Sequence, residues 1–291
     1  MKMKKSNWVY LDGAYLAAEE AKISPFDRGF LFAQAAYEVT AVYNGKLVDM
    51  DHHLARFRRT LEGIEIEQPE FDLLAAHYEL MARNELTEGL IYLQASAGDQ
   101  GPRDYYGPET LKPSVFMFTT PKTLIGATAE AGLTAISVLD TRWARRDLKT
   151  TQLLSQTLAY RAARRAGADT AIMHEDGLVT EAASANLWIV TQAGELVTRD
   201  LSSALLPGIT RGRLIDLLAA ADMKIEERAF TLDELRQAKE AFTSSTGVVI
   251  APVLKLDQHL IGKGVPGPIT RRVQAAYYSY IGADLAQIDW L

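Results

Sequence analysis

Lys149 ends a run that holds three arginines, Arg142, Arg145 and Arg146, and it precedes a stretch with helical periodicity. Neighbouring cations and loss of hydration both favour the neutral amine of a lysine over its ammonium. A neutral amine is what attack on a carbonyl to form a Schiff base requires. By local sequence alone the same residues also make an ordinary solvated basic turn. Glu181 precedes the small residues Ala182, Ala183, Ser184 and Ala185, and then Asn186. A carboxylate in that place either accepts backbone N–H bonds or partners a protonated pyridine nitrogen, keeping such a ring able to take up electrons. Leu206-Pro-Gly-Ile209-Thr210-Arg places unpaired N–H groups and a hydroxyl at a helix start, which is either a phosphate site or an ordinary Pro-Gly helix entry. Thr243-Ser-Ser-Thr246-Gly is a second hydroxyl cluster that reads equally well as a plain loop. Arg56 is either a solvated helix residue or a phosphate clamp.

These residues need elements to hold them. Asp12-Gly13 and Asn44-Gly45 sit between strand-like runs, Trp8–Leu11 with Tyr15-Leu16 and Tyr37–Tyr43 with Lys46–Val48, a strong hairpin signal. Asp51 is expected to cap a helix to about Glu62, with Leu54, Phe57 and Leu61 on one face. A second helix is expected over Phe71–Asn84, then strands Leu90–Ala95 and Ser114–Thr119. The loop Gly98–Lys112 between them is rich in Gly, Pro and Tyr and holds Arg103, Tyr105 and Tyr106. Pro121–Gly132 reads as a linker and Leu133–Leu139 as a strand. A helix over Thr151–Arg165 carries Leu154, Leu158 and Ala162 on one stripe and stops at Gly167. Hairpins turn at Asp176-Gly177 and near Ala193-Gly194. Helices are expected over Ile209–Ala221, after the capping box Thr231/Glu234, and over Ile269–Ile281, with a strand at Val248–Leu256.

The chain has 291 residues, enough for two domains or one large one. Its net charge of -6 provides no global basic field for nucleic acid or anionic lipid. With no cysteine there are no disulfides, no thiolate catalysis and no cysteine-ligated metal. Met1 to Lys5 is basic and leads into no apolar run, and no segment reaches a membrane span. We read the chain as cytoplasmic, without membrane or nucleic-acid partners and without a metal.

In order and spacing, the motifs resemble the class IV (fold-type IV) aminotransferases over nearly the whole chain. The resemblance runs through Ser24-Pro-Phe-Asp-Arg-Gly-Phe-Leu-Phe, Tyr37-Glu-Val39, Tyr43-Asn-Gly-Lys and His53-Leu-Ala-Arg56. It continues in Asp147-Leu-Lys149-Thr, Ala168-Asp-Thr-Ala-Ile, Val179-Thr-Glu181, Ser184-Ala-Asn186, Leu206-Pro-Gly-Ile-Thr210-Arg, Thr243-Ser-Ser-Thr246 and Pro252-Val. It implies an α/β fold of the α+β type, like that of D-amino acid aminotransferase, with two domains and pyridoxal 5′-phosphate in the cleft between them. The expected boundaries are a small domain over 1–120, a linker over 121–132 and a larger cofactor-binding domain over 133–291. A homodimer is implied as well. By the same resemblance Lys149 is the Schiff-base and proton-carrying lysine, and Glu181 the partner of the ring nitrogen. Arg56, Ile209, Thr210 and Thr246 form the phosphate cup. Leu206 packs on the ring, with Ser184 and Arg142 beside the cofactor.

Within that group the Tyr-Glu-Val start and Tyr-Asn-Gly-Lys look most like the D-amino acid transaminases. This implies exchange between a D-amino acid and a 2-oxo acid, 2-oxoglutarate or pyruvate. Tyr37, Val39, Arg103 and Tyr105 are the expected substrate contacts. The loop keeps Arg103 but has Tyr105 where those enzymes carry His, and Ala33-Gln34-Ala35 replaces a usual Gly-rich stretch. The (R)-amine and branched-chain transaminase readings therefore stay open, as do an aminodeoxychorismate-type lyase and, remotely, a non-catalytic binding protein.

Overall fold

The computed structural model describes residues 7–291, so the basic start Met1 to Lys5 lies outside the described residues. The chain divides into two compact units, 1–123 with 148–152, and 124–147 with 153–291.

The first unit is built from β1 (Trp8–Leu11), β2 (Ala14–Ala17), α1 (Arg28–Phe32), β3 (Ala35–Tyr43), β4 (Lys46–Leu47), α2 (Met50–Gly63), α3 (Leu73–Arg83), β5 (Gly89–Ser96) and β6 (Ser114–Pro121). Its six strands form an antiparallel sheet in the order β2-β1-β6-β5-β3-β4. Asn44 (φ 49°) and Gly45 (φ 71°) both take the left-handed conformation that a two-residue hairpin turn demands. Asp12-Gly13 does the same between β1 and β2. Helix α2 is capped at Asp49 rather than Asp51, without a side-chain cap bond, while Asp51 places its charge in the first turn, toward the positive helix end. Phe57 and Leu61 of α2 pack with Leu80, Ile91, Leu93 and Met117 in one buried cluster. Each such side chain contributes roughly 1.5–3 kcal/mol on burial.

The second unit begins with α4 (Ala127–Ala131) inside the expected linker, where Leu124 and Ala129 are buried. It continues with β7 (Leu133–Leu139), α5 (Leu154–Arg165), β8 (Thr170–Glu175), β9 (Leu178–Ala182), β10 (Asn186–Val190), β11 (Leu196–Thr198), α6 (Ile209–Ala220), β12 (Ile225–Glu227), α7 (Leu232–Arg236), β13 (Glu240–Ser245), β14 (Val249–Leu256), β15 (His259–Leu260) and α8 (Pro268–Tyr280). The sheet order is β12-β11-β10-β13-β14-β7-β8-β9, with β15 on β14. Strand β7 pairs in parallel with both β8 and β14. The parallel crossover from β7 through α5 to β8 is interrupted by residues 148–152, which belong to the first unit. In α5 the expected apolar stripe faces outward: Leu154 is 71% and Leu158 49% exposed, and the buried positions are Ala159 and Ala163. Helix α7 has the expected capping box, and the buried Glu240 caps α8 through the N–H groups of Ile269 (3.0 Å) and Thr270 (2.7 Å). Among the described residues no helix is long and apolar enough to cross a membrane.

Candidate active site

In the first unit, residues 148–152 lie along β3. Tyr37 N–H donates to the Lys149 carbonyl (3.0 Å), Thr151 N–H donates to the Ala35 carbonyl (3.0 Å), and Ala36 and Thr150 form an antiparallel bridge. Lys149 N–H donates to Thr60 Oγ1 of α2 at 3.2 Å. The backbone of Lys149 is thus held from two elements. Its Nζ sits 4.2 Å from the centre of the Tyr37 ring. Tyr37 stacks on Tyr92 of β5, and Tyr92 on Phe118 of β6, with centroids 5.5 Å and 4.9 Å apart. Burial, and then the Tyr37 phenol, push the Tyr92 phenol upward, so its hydroxyl stays protonated and donates to Gln94 Oε1 (2.8 Å). Val39 follows Tyr37 on the same half-buried face of β3.

The opposite face of β3 carries Glu38, which is buried. Arg56 of α2 grips it with Nε (2.7 Å) and Nη2 (2.8 Å), and His53 Nδ1 lies 2.7 Å from Glu38 Oε2. Burial alone would raise the Glu38 carboxyl, but the Arg56 guanidinium and then His53 outweigh it and bring the pKa down to about 2. Arg56 is therefore a buried, ion-paired side chain rather than a solvated one. The loop 98–112 shows Arg103 exposed, with Nη2 donating to Tyr105 Oη (2.9 Å) and its guanidinium against the rings of Tyr105 and Phe32 (4.7 and 5.0 Å to the centroids).

In the second unit Glu181 is buried near the end of β9. It accepts from Arg142 Nη1, from Asn186 Nδ2 (3.2 Å) and from the Leu206 N–H (3.3 Å). Burial raises its carboxyl pKa, and the Arg142 guanidinium opposes that without cancelling it. Arg142 is shared: Nη2 and Nε also donate to Asp140 (2.6 and 3.0 Å), and Asp140 accepts from Thr180 Oγ1 (2.7 Å). Arg145 pairs with Asp147, and Arg146 with Glu175 and Asp140. The three arginines thus face carboxylates of the second unit, whereas Lys149 belongs to the first.

Asn186 joins Glu181 to the start of α6, donating also to the Leu206 carbonyl (2.9 Å). Helix α6 starts at Ile209 after the N-cap Gly208, with no side-chain cap bond, and Thr210 is buried. A Cβ at Gly208 would lie 2.0 Å from Asn186 Oδ1, so a larger residue there must displace the Asn186 side chain. Thr246 lies in the turn between β13 and β14, while Thr243–Ser245, read above as part of a hydroxyl loop, extend β13. Ser184 Oγ is hydrogen-bonded to Tyr160 Oη of α5. Glu38, His53, Asp140 and Asn186 were given no site role by the sequence, although all but Asp140 stand in its motifs. The signal available was a charged residue inside an apolar strand, Tyr37-Glu38-Val39, which demands a buried partner.

The amino-transferase class IV family model matches residues 35–256. This chain belongs to the class IV aminotransferases. It is 34% identical to a D-alanine aminotransferase from Bacillus licheniformis, over 96% of this chain and 99% of that protein. Its fold matches the branched-chain amino acid aminotransferase from Escherichia coli, with TM-score 0.86 and 24% identity over 95% of both chains. It also matches a branched-chain amino acid aminotransferase from T.th. solved with pyridoxamine 5′-phosphate, with TM-score 0.86 and 23% identity over 98% of both.

Proposed function

We propose that this aminotransferase exchanges an amino group between a D-amino acid and a 2-oxo acid, 2-oxoglutarate or pyruvate, with pyridoxal 5′-phosphate as cofactor. The observation that carries the reading is Glu181, a buried carboxylate linked through Asn186 and Leu206 to the uncapped start of α6. The donor set fits the cofactor: an acidic acceptor for a ring N–H at one end, and at the other N–H groups with a buried threonine, beside a Gly208 that leaves no room for a Cβ. When bound, the cofactor supplies a carbonyl carbon for the travelling amino group and a protonated ring that takes up the electrons released at the substrate Cα.

In this reading Lys149 anchors the cofactor through Nζ and moves the proton to and from the substrate Cα, and the Tyr37 ring fixes the line along which Nζ approaches. Glu181 accepts the ring N–H; a cation at that point favours the charged carboxylate that burial disfavours. Arg142, itself held by Asp140, keeps Glu181 oriented. Ile209 and Thr210 at the start of α6, with Thr246 and Arg56, receive the phosphate. Leu206 packs on the ring and Ser184 offers a hydroxyl beside it. Arg103 and Tyr105 present an anion-binding pair for the α-carboxylate, with Tyr37 and Val39 lining the substrate side. The Bacillus relative, named for D-alanine, supports the choice of donor. A homodimer and a cytoplasmic location accompany this reading.

A second reading, transamination of branched-chain L-amino acids, draws on the names of the structural neighbours. A half-reaction panel separates the two. D- and L-amino acids and both enantiomers of 1-phenylethylamine are mixed with cofactor-loaded protein while the cofactor absorbance is followed. D-alanine or another D-amino acid should bleach the resting band fastest. Fastest conversion by L-leucine or L-valine would replace this reading with the branched-chain one, and by (R)-1-phenylethylamine with the amine one.

A further inference from the structure

Arg28, the first residue of α1, has no part in the chemistry above, yet it makes many bonds to the loop that carries Arg103. Its Nη1 donates to the Asp104 carbonyl (3.0 Å) and to the Gln100 side chain, and its Nη2 to the Tyr105 carbonyl (3.4 Å). Its Nε donates to Gln34 Oε1 (2.5 Å), and the Gln34 amide donates in turn to the Ile64 carbonyl at the end of α2 (3.1 Å). The guanidinium is thereby tied to a helix on one side and to two loop carbonyls on the other. Gln100 Nε2 adds bonds to the carbonyls of Pro102 and Asp104 (3.0 and 3.1 Å), and Arg28 N–H donates to the Gly98 carbonyl (2.9 Å).

Phe32, at the end of the same helix, lies under the Arg28 guanidinium (4.7 Å), the Arg103 guanidinium (5.0 Å) and, tilted, the Tyr105 ring (5.3 Å). Arg103 spends one N–H on the Tyr105 oxygen, which leaves the phenolic proton and the other guanidinium N–H groups free to donate to an anion. Ordering a long loop at the moment of binding would cost affinity, and a loop ordered in advance avoids that cost.

We propose that Arg28 is a positioning residue that latches the loop 98–112 in the form that pairs Arg103 with Tyr105, and so sets the preference for donors bearing an α-carboxylate. The specificity half rests on the D-amino acid reading above; the latch itself does not. The test uses cofactor-loaded parent, Arg28→Ala and Gln100→Ala, the last removing the loop side of the latch without touching α1. Two readouts are taken: tryptic cleavage after Arg103, followed by mass spectrometry without substrate, and steady-state kinetics on D-alanine and (R)-1-phenylethylamine. Both variants should be cut after Arg103 about tenfold faster. For Arg28→Ala the KM for D-alanine should rise about tenfold or more, the scale of one charge-assisted bond, with kcat and amine turnover within about twofold of the parent. Unchanged cleavage in both variants overturns the latch. Faster cleavage with equal losses on both donors overturns the specificity role and leaves Arg28 structural. A parent enzyme indifferent to D-alanine overturns the donor reading and the specificity half with it, while the cleavage result still decides the latch.

Discussion

Glu181 and Glu38 are both buried carboxylates, and their surroundings push them in opposite directions. Glu38 has the Nε and Nη2 donors of Arg56 plus His53, and its charge is secured. Glu181 shares Arg142 with Asp140, so it receives only part of that cation, and burial wins. The difference suits their stations, since a carboxylate already saturated by cations offers little to a ring N–H. Glu181→Gln should keep the fold, because an amide oxygen in place of Oε1 still accepts from Arg142 and from the Leu206 N–H, and only the Asn186 bond to Oε2 is lost. It should slow the half-reaction by about 10²-fold or more, the scale for removing one group that stabilises developing charge. Stopped-flow absorbance with the donor found in the panel is the measurement, and turnover near the parent rate would remove Glu181 from the role.

At the scale of elements, much was legible because the signals were local. Asn44-Gly45 and Asp176-Gly177 could make only left-handed turns, and Thr231 with Glu234 carried its capping geometry in four residues. The α5 stripe misled because leucines at helical spacing mark a helix but not which side is inward; alanines fill the buried side, close to β8. Strand β13 was hidden because its Thr-Ser-Ser end reads as loop, and a central strand gains its identity from pairing with β10 and β14. Lys149, Glu181 and the α6 start could be named from motif order; Arg28 stood in the opening motif, but its role did not show because its partners Gln100, Asp104 and Tyr105 lie far along the chain. The α6 entry also gives a sharp expectation. Gly208→Ala must displace Asn186 and with it the bonds to Glu181 and Leu206, which should cost about 1–3 kcal/mol in urea unfolding and weaken cofactor binding. Gly212→Ala in the same helix meets nothing within 4 Å and should stabilise by roughly 0.5–1 kcal/mol. Equal behaviour of the two variants would contradict the close contact at Gly208.

For the molecule as a whole, buried groups of both units contribute to the response to acid, and those of the first unit include two histidines and Glu38. Burial brings the His77 pKa down from 6.5 to about 4, and it lowers that of His53 as well. A neutral buried imidazole takes up its proton later than the unfolded chain does. Between about pH 6.5 and 4 the unfolded chain therefore holds more protons, and stability falls as pH falls. Glu38, with an unfolded value of 4.5 and a folded value of about 2, extends the same loss to lower pH. Glu181 has the opposite sign: its raised folded value adds stability in acid, and that is lost as pH rises through it. Thermal unfolding of cofactor-free protein should show a midpoint that declines from about pH 6.5 downward, and His77→Gln should flatten the part above pH 4. A midpoint constant down to about pH 4.5 would mean that His77 is not held neutral.

The placement of residues 148–152 bears on how such a protein can be recombined. These five residues, with the proposed cofactor lysine among them, are encoded within second-unit sequence but fold against β3 of the first. A chimera that exchanges residues 1–123 with a relative, to import another donor preference, therefore splits the Tyr37–Lys149 and Ala35–Thr151 backbone pairings between two ancestries. Crossovers should succeed when residues 148–152 are transplanted together with the N-terminal block, so the natural module for swapping specificity is discontinuous in the gene.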